Sequence, residues 1–225
     1  MYTMAMSRFF KFLTHHEELF KSQGEELTYK KGQMLVWRKE SSDWVYFLKS
    51  GTVKAAFTLQ DGTERILGYF IPGMTFAQMG SFFADPSATL EYEAISTVQV
   101  YRLPRTVFLD AVANMPEINK EYVDQILRGQ IALIERIEYQ GEKGIKGKLV
   151  KWLLFMQKYY CSSEAKSCTF DIPLTHETVA NFLHATRESV SKNINQLRRD
   201  GYITVKAKHI TINDIDKLRK YSESL

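Results

Sequence analysis

Residues Pro173–Ile203 read PLTHETVANFLHATRESVSKNINQLRRDGYI, the most informative segment of the chain. Thr175 stands where a helix N-cap would, its hydroxyl able to accept from a backbone N–H of the first turn. The helix it opens carries Val179, Phe182 and Leu183 on one face, and small Ala180 lets a second helix approach closely. A short turn at His184-Ala185 follows, and Thr186 caps the second helix. There Val190, Ile194 and Leu197 recur at i, i+4 and i+7, the spacing of a buried stripe. The opposite face presents Arg187, Glu188, Ser191, Lys192 and Asn195. Two helices joined by so short a turn form a helix-turn-helix.

Those outward residues match what a DNA major groove offers. Arginine donates two hydrogen bonds to guanine, glutamate accepts from the cytosine amino group, and lysine takes guanine or phosphate. They sit in the first two turns, where a recognition helix enters the groove. Beyond Gly201, the segments Tyr202–Val205 and His209–Ile212 flank a Lys-Ala-Lys link and read as a hairpin wing. Charge agrees. Residues 1–143 hold 16 Lys and Arg against 18 Asp and Glu, whereas residues 144–225 hold 14 against 8. A basic third after an acidic two-thirds suits contact with a polyanion.

Working back toward the N-terminus, Glu142–Lys148 is a charged break with Gly144 and Gly147, read as a hinge. Leu149–Tyr159 beyond it reads as helical and Cys161–Thr169 as a loop. Before the break, a long helix is expected from Pro116 to about Gly141. Val123, Ile126, Gln130, Leu133 and Ile137 follow coiled-coil spacing along it, so a twin helix from a second subunit is the expected partner. A second stripe, Leu127, Ile131 and Ile134, is expected to lie on the strand domain. Residues 25–103 alternate as short antiparallel strands between turns such as Asp61-Gly62 and Pro72-Gly73, which implies a small sandwich or barrel.

The fold class is thus α+β. The expected divisions are a β-roll over 1–115, a dimerisation helix and hinge over 116–143, and a winged helix-turn-helix over 144–225. The 225 residues are 44% hydrophobic and 25% charged, the balance of a chain with a real core. The longest apolar run, 66–71 with Gly68 counted, is far short of the roughly 20 residues a membrane span needs. No secretory pattern is present, so the cytoplasm is the expected compartment and no membrane partner is expected. Cys161 and Cys168 read as loop thiols, with a redox pair as the alternative.

Pro173-Leu174-Thr175, Val179-Ala180, Leu183, Thr186-Arg187-Glu188-Ser189-Val190-Ser191-Lys192, Leu197 and Asp200-Gly201-Tyr202-Ile203 together resemble the helix-turn-helix of the CRP/FNR transcription regulators. The order of roll, long helix, hinge and winged domain resembles that family over almost the whole chain. The resemblance implies a homodimer whose roll binds a small effector and whose effector reorients the DNA-binding domains. It places Arg187, Glu188 and Lys192 at base-reading positions, with Ser191 on the same face, and Thr175 and His176 where backbone phosphate is held. A palindrome of TGTGA-like half-sites is the expected duplex, and RNA polymerase an expected partner. His184 stands where the family usually has glycine, and histidine tolerates the left-handed conformation better than most residues.

Family members that bind cyclic nucleotides hold the phosphate with an Arg-Ser pair and the ribose with a Gly-Glu pair. Here the segments read Phe76-Ala77-Gln78-Met79-Gly80 and Ser87-Ala88-Thr89-Leu90, and no basic residue lies between Arg65 and Arg102. A buried phosphate without a cation is costly. Leu133-Ile134 replaces the Thr-Ser pair that faces adenine in those members, so cyclic AMP is not the expected effector. No cysteine precedes Cys161, and no histidine lies between His16 and His176. That argues against an iron–sulfur cluster, a haem or a metal-dependent barrel enzyme, so no cofactor or metal is expected. The expected effector pocket is apolar: Tyr69, Phe76, Gln78, Met79, Phe82 and Tyr92, with Leu133 and Ile134 from the long helix. Such a wall suits an aromatic or hydrophobic compound. The loop Tyr160-Cys161-Ser162-Ser163 is similar to one in the halophenol-responsive members. A constitutive or redox-controlled member without ligand is the alternative, and a cyclic-nucleotide signalling module a remoter one.

Overall fold

Strand β3 (Trp44–Ser50) sends Val45 and Phe47 to one face and Tyr46 and Leu48 to the other, and all four are buried. Such a strand needs apolar cover on both sides. The computed structural model, which describes residues 13–38, 40, 43–77, 90–161 and 166–225, supplies it. One antiparallel sheet has the order β1 (Glu25–Tyr29), β8 (Val98–Pro104), β3, β6 (Thr75–Phe76). The other runs β2 (Met34–Val36), β7 (Glu91–Ala94), β4 (Val53–Thr58), β5 (Glu64–Phe70). Tyr46, Leu48, Val53, Phe76, Tyr92, Val98 and Val100 form one core. On the other side of β3, Val45, Phe47, Tyr101 and Leu103 pack with three helices. These are α1 (Thr14–Gln23), α2 (Arg105–Asn114) and the first turns of α3 (Pro116–Gln140), which bring Phe20, Phe108, Ile118 and Tyr122. The antiparallel roll is therefore as expected, and α2 is an addition to it.

The long helix α3 runs from Pro116 to Gln140, close to its expected limits. Its second apolar stripe corrects the sequence reading. Leu127, Ile131 and Ile134 are all exposed, while Ile118 and Tyr122 are the residues that pack on the strands. A helix offers a domain only one side, and here that side is set by the buried pair at i and i+4.

The expected break also narrows. Helix α4 (Gly144–Tyr160) begins five residues before the expected Leu149, so only 141–143 remain outside helices. Gly144 takes φ +80°, which lets the chain turn sharply into α4. Gly147 is buried inside α4, with Glu142 against its backbone and paired to Lys151. The following segment is more than a loop. Strand β9 (Cys168–Thr169) pairs with β11 (His209–Ile212), which pairs with β10 (Ile203–Lys206). Cys161 and Cys168 are joined in a disulfide, with Cα atoms 6.2 Å apart, instead of standing as separate thiols. Pairing of β9 with the hairpin brings Cys168 back to the end of α4.

Helices α5 (His176–Leu183), α6 (Arg187–Arg199) and α7 (Ile215–Glu223) complete this part. Trp152, Met156, Phe170, Val179, Phe182, Val190, Ile194, Leu197, Ile210 and Leu218 are among its buried residues. The chain forms two compact units that divide within α3, one ending at Leu127 and the other beginning at Arg128.

Candidate nucleic-acid interface

Both expected caps are made. Thr175 Oγ1 accepts from the Thr178 N–H at 3.0 Å, and Thr186 Oγ1 accepts from the Ser189 N–H at 3.3 Å. Each satisfies a helix N–H that has no partner within its own helix. His184 closes α5 at φ 51°, ψ 49°, and its N–H donates to the Ala180 carbonyl. The left-handed turn expected of glycine is thus taken by histidine. Val190, Ile194 and Leu197 of α6 are buried against the domain, so the opposite face must look outward. Arg187, Glu188 and Lys192 are exposed there, and Ser191 is half-buried among them.

The hairpin joining β10 and β11 turns through Ala207 and Lys208, at φ 47° and 74°. Two left-handed residues in succession make the tight turn that matches strand twist. Lys206 and Lys208 are exposed at its tip. The Leu174 N–H donates to the Lys208 carbonyl at 2.7 Å, tying that tip to the segment leading into α5. Thr175 and His176, both half-buried in the first turn of α5, therefore stand beside the wing lysines. Neither Lys206 nor Lys208 was among the expected contacts. Their signal was the Lys-Ala-Lys link itself, which became informative once Leu174 was seen to hold it.

Basic side chains continue along the exposed side of α6 beyond the expected contacts. Lys192, Asn195, Arg198 and Arg199 line a concavity of about 390 Å³ on the exposed side of α6. Glu188, Lys192, Asn195 and Arg199 recur at steps of four, three and four, so helical spacing alone could have extended the face. Behind α5, the Gln140 side-chain amide donates to the Phe182 carbonyl at 3.3 Å. The Arg136 guanidinium lies 5.7 Å from the Phe182 ring centroid, and Trp152 packs on that ring from α4.

The expected effector pocket fares differently. Phe76 stacks on Tyr46 at 5.2 Å and packs against Phe70 and Tyr92 at 5.4 and 5.2 Å. Burial pushes the Tyr92 phenol up to about 12. Phe76 is fully buried, and with Tyr46 and Tyr92 it belongs to the core of the roll. Tyr69 is buried too, but on the other face of its sheet. It pairs with Lys54 in the β4–β5 register, on the face where Lys54 bridges Glu64 and Glu93. Its neighbour Phe70, half-buried, packs on Phe76 and Tyr92 instead, because adjacent strand residues face opposite ways. Gln78, Met79 and Phe82 lie outside the described residues. Leu133 and Ile134 are exposed on α3, as are Val123, Ile126, Gln130 and Ile137 of the expected dimer seam.

Comparison with known proteins gives consistent matches. Residues 147–221 match the Crp-like helix-turn-helix domain, and residues 26–115 match the cyclic nucleotide-binding domain. The transcriptional activator protein FnrL of Cereibacter sphaeroides is 25% identical over 199 residues, 85% of this chain and 77% of that protein. A CRP-like cAMP-activated global transcriptional regulator of Mycobacterium tuberculosis is 23% identical over 198 residues, 88% of each chain. Among solved structures, FixK2 of Bradyrhizobium japonicum superposes with a TM-score of 0.71 at 21% identity, covering 88% of this chain and 96% of that one. No helix among the described residues is long and apolar enough to cross a membrane.

Proposed function

The chain belongs to the CRP/FNR family of DNA-binding transcription regulators, and from that premise we propose that it works as a homodimer reading a palindrome, gated through its roll. Members of this family are transcription regulators, not enzymes. The observation that carries the proposal is the outward face of α6: Arg187, Glu188 and Lys192 exposed on a helix capped by Thr186 and seated by three buried side chains. Arg187 and Glu188 read bases of a TGTGA-like half-site, Ser191 and Lys192 support them, and Thr175 and His176 hold phosphate with the wing lysines. Two such helices one DNA turn apart fit two half-sites.

The dimer seam is Val123, Ile126, Gln130, Leu133 and Ile137. Ile137 is 70% exposed, and a row of apolar side chains so open to water favours a partner surface. Substituting Ile137→Glu is expected to convert a dimer to monomers in sedimentation without unfolding the chain. A dimer that persists would remove this seam. The effector is a hydrophobic or aromatic compound rather than a cyclic nucleotide, since no basic residue lies between Arg65 and Arg102, the segment that holds the phosphate in the nucleotide-binding members. It binds beside Phe76 and Tyr92, and by favouring one arrangement it shifts the population of DNA-competent dimers. Such a protein acts in the cytoplasm, with RNA polymerase as its further partner.

A titration by fluorescence anisotropy tests the reading. A TGTGA-N6-TCACA duplex and a scrambled duplex are compared at two salt concentrations, with and without cyclic AMP and a panel of phenols. Preference for the palindrome that appears with one phenol supports a gated regulator. Equal binding to both duplexes sinks the half-site. The Cys161–Cys168 disulfide favours a second reading, a redox-controlled regulator without ligand. In that case thiol reductant, and no phenol, changes affinity for the palindrome.

A further inference from the structure

Among the described residues, the buried polar side chains are His16 and Thr75, and both belong to one junction between the roll and α3. Strand β6, among the described residues, ends its sheet and pairs with β3 alone, with Thr75 opposite Phe47. The outer N–H and C=O of an edge residue need partners when buried. Gln125 of α3 supplies both. Its Oε1 accepts from the Thr75 N–H at 3.1 Å, and its Nε2 donates to the Thr75 carbonyl at 2.7 Å. A single side-chain amide thus does for β6 what a further strand would do.

The rest of the junction fixes the same point. His16 Nε2 lies 3.2 Å from the Ile118 carbonyl, so this nitrogen carries the proton and donates. Nδ1 then accepts from the Thr75 hydroxyl at 3.2 Å. Burial holds His16 below its ordinary pKa, which keeps the ring neutral for this arrangement. Glu121, one turn before Gln125, accepts from the His15 and His16 N–H groups at 3.1 and 3.0 Å. Against its partial burial, these donors hold the Glu121 carboxyl below the ordinary carboxylate range. Helix α1, strand β6 and helix α3 therefore meet at Thr75 with directional bonds. The residue after Thr75 is Phe76, the centre of the aromatic core, and the residue after Gln125 is Ile126 of the dimer seam.

We propose that Gln125 is the positioning residue that couples the roll to the long helix, its amide making a displacement of β6 at Phe76 a displacement of α3 at Ile126. This rests on the reading of the chain as a dimeric DNA-binding regulator. Apolar packing alone would let the helix slide over the strands, whereas two bonds to one backbone residue fix its position along β6. The bonds on Thr75 are to its backbone, so the side chain at position 75 can change while the clamp stays.

Hydrogen–deuterium exchange of the full chain tests the coupling, following the peptide that holds Thr75 and Phe76 with and without the TGTGA-N6-TCACA duplex. In the natural chain the duplex is expected to change exchange there about fivefold or more. Gln125→Leu, which keeps the volume and removes both bonds, is expected to bind the duplex but lose that response. Gln125→Glu keeps only the acceptor and is expected to show a reduced response. Thr75→Val, lacking only the hydroxyl that meets His16, is expected to retain it. A full response in Gln125→Leu or Gln125→Glu overturns the coupling, as does a natural chain that prefers the palindrome yet shows no change at Thr75. A natural chain without preference for the palindrome instead overturns the regulator reading, and this inference with it.

Discussion

The two units use similar residues to opposite ends. In the DNA-binding unit the apolar residues of α6 are buried and its polar residues face water, so the helical period separates core from contact surface. In the roll, the aromatics that suit a ligand are also the residues that hold two sheets together. Phe76, Tyr46 and Tyr92 pack on one another, and their chemistry alone does not tell lining from filling. A contact surface for a polyanion must be polar and therefore stands apart from the core. A pocket for a hydrophobic compound is built of core residues and is hidden among them.

The largest expected effect tests that difference in the roll. Phe76→Ala should lower stability by about 3–5 kcal/mol if the ring is core, read as a fall in melting temperature. A ring that lines an open pocket would leave the melting temperature nearly unchanged, and the contrast between the units would shrink. Next comes the recognition face. Arg187→Ala should weaken binding to the palindrome by about 1–3 kcal/mol while leaving the melting temperature alone, because Arg187 is exposed. Glu188→Ala should relax one base position in the same assay. Equal palindrome affinity of both variants and the natural chain would place the reading face elsewhere on α6, toward Asn195 and Arg199. The smallest effect falls between the two kinds. Thr186→Ala removes the cap on α6 and should cost about 1 kcal/mol of stability. Its effect on DNA affinity should be smaller than that of Arg187→Ala, since the cap orients the helix without touching a base.

Legibility follows the range of the interaction. Caps at Thr175 and Thr186, the stripe Val190, Ile194, Leu197 and the turn at His184 are fixed by residues within a few positions of one another. The second stripe of α3 was misplaced because period shows which residues share a face, not which face meets the strands. Ile118 and Tyr122 occupy that side, and Leu127, Ile131 and Ile134 lie exposed. Residue type groups Tyr69 with Phe76 and Tyr92, but the β4–β5 register puts it, still buried, on the Lys54 face and leaves Phe70 on the Phe76 face. Strand β9 is two residues long, too short to alternate, and is a strand only because β11 accepts it.

Patterns along the chain were enough for the helix-turn-helix, the long helix, the antiparallel roll and the polar outer face of α6. These rest on periodicity, capping and charge, which act along the chain. It took the folded chain to bring Lys208 beside Thr175, Cys161 to Cys168, and Gln125 onto the open edge of β6. Each of these pairs a residue with a distant backbone group or with a partner across a loop. Such pairings depend on which strand ends at an edge and which helix crosses it, and no local pattern records that.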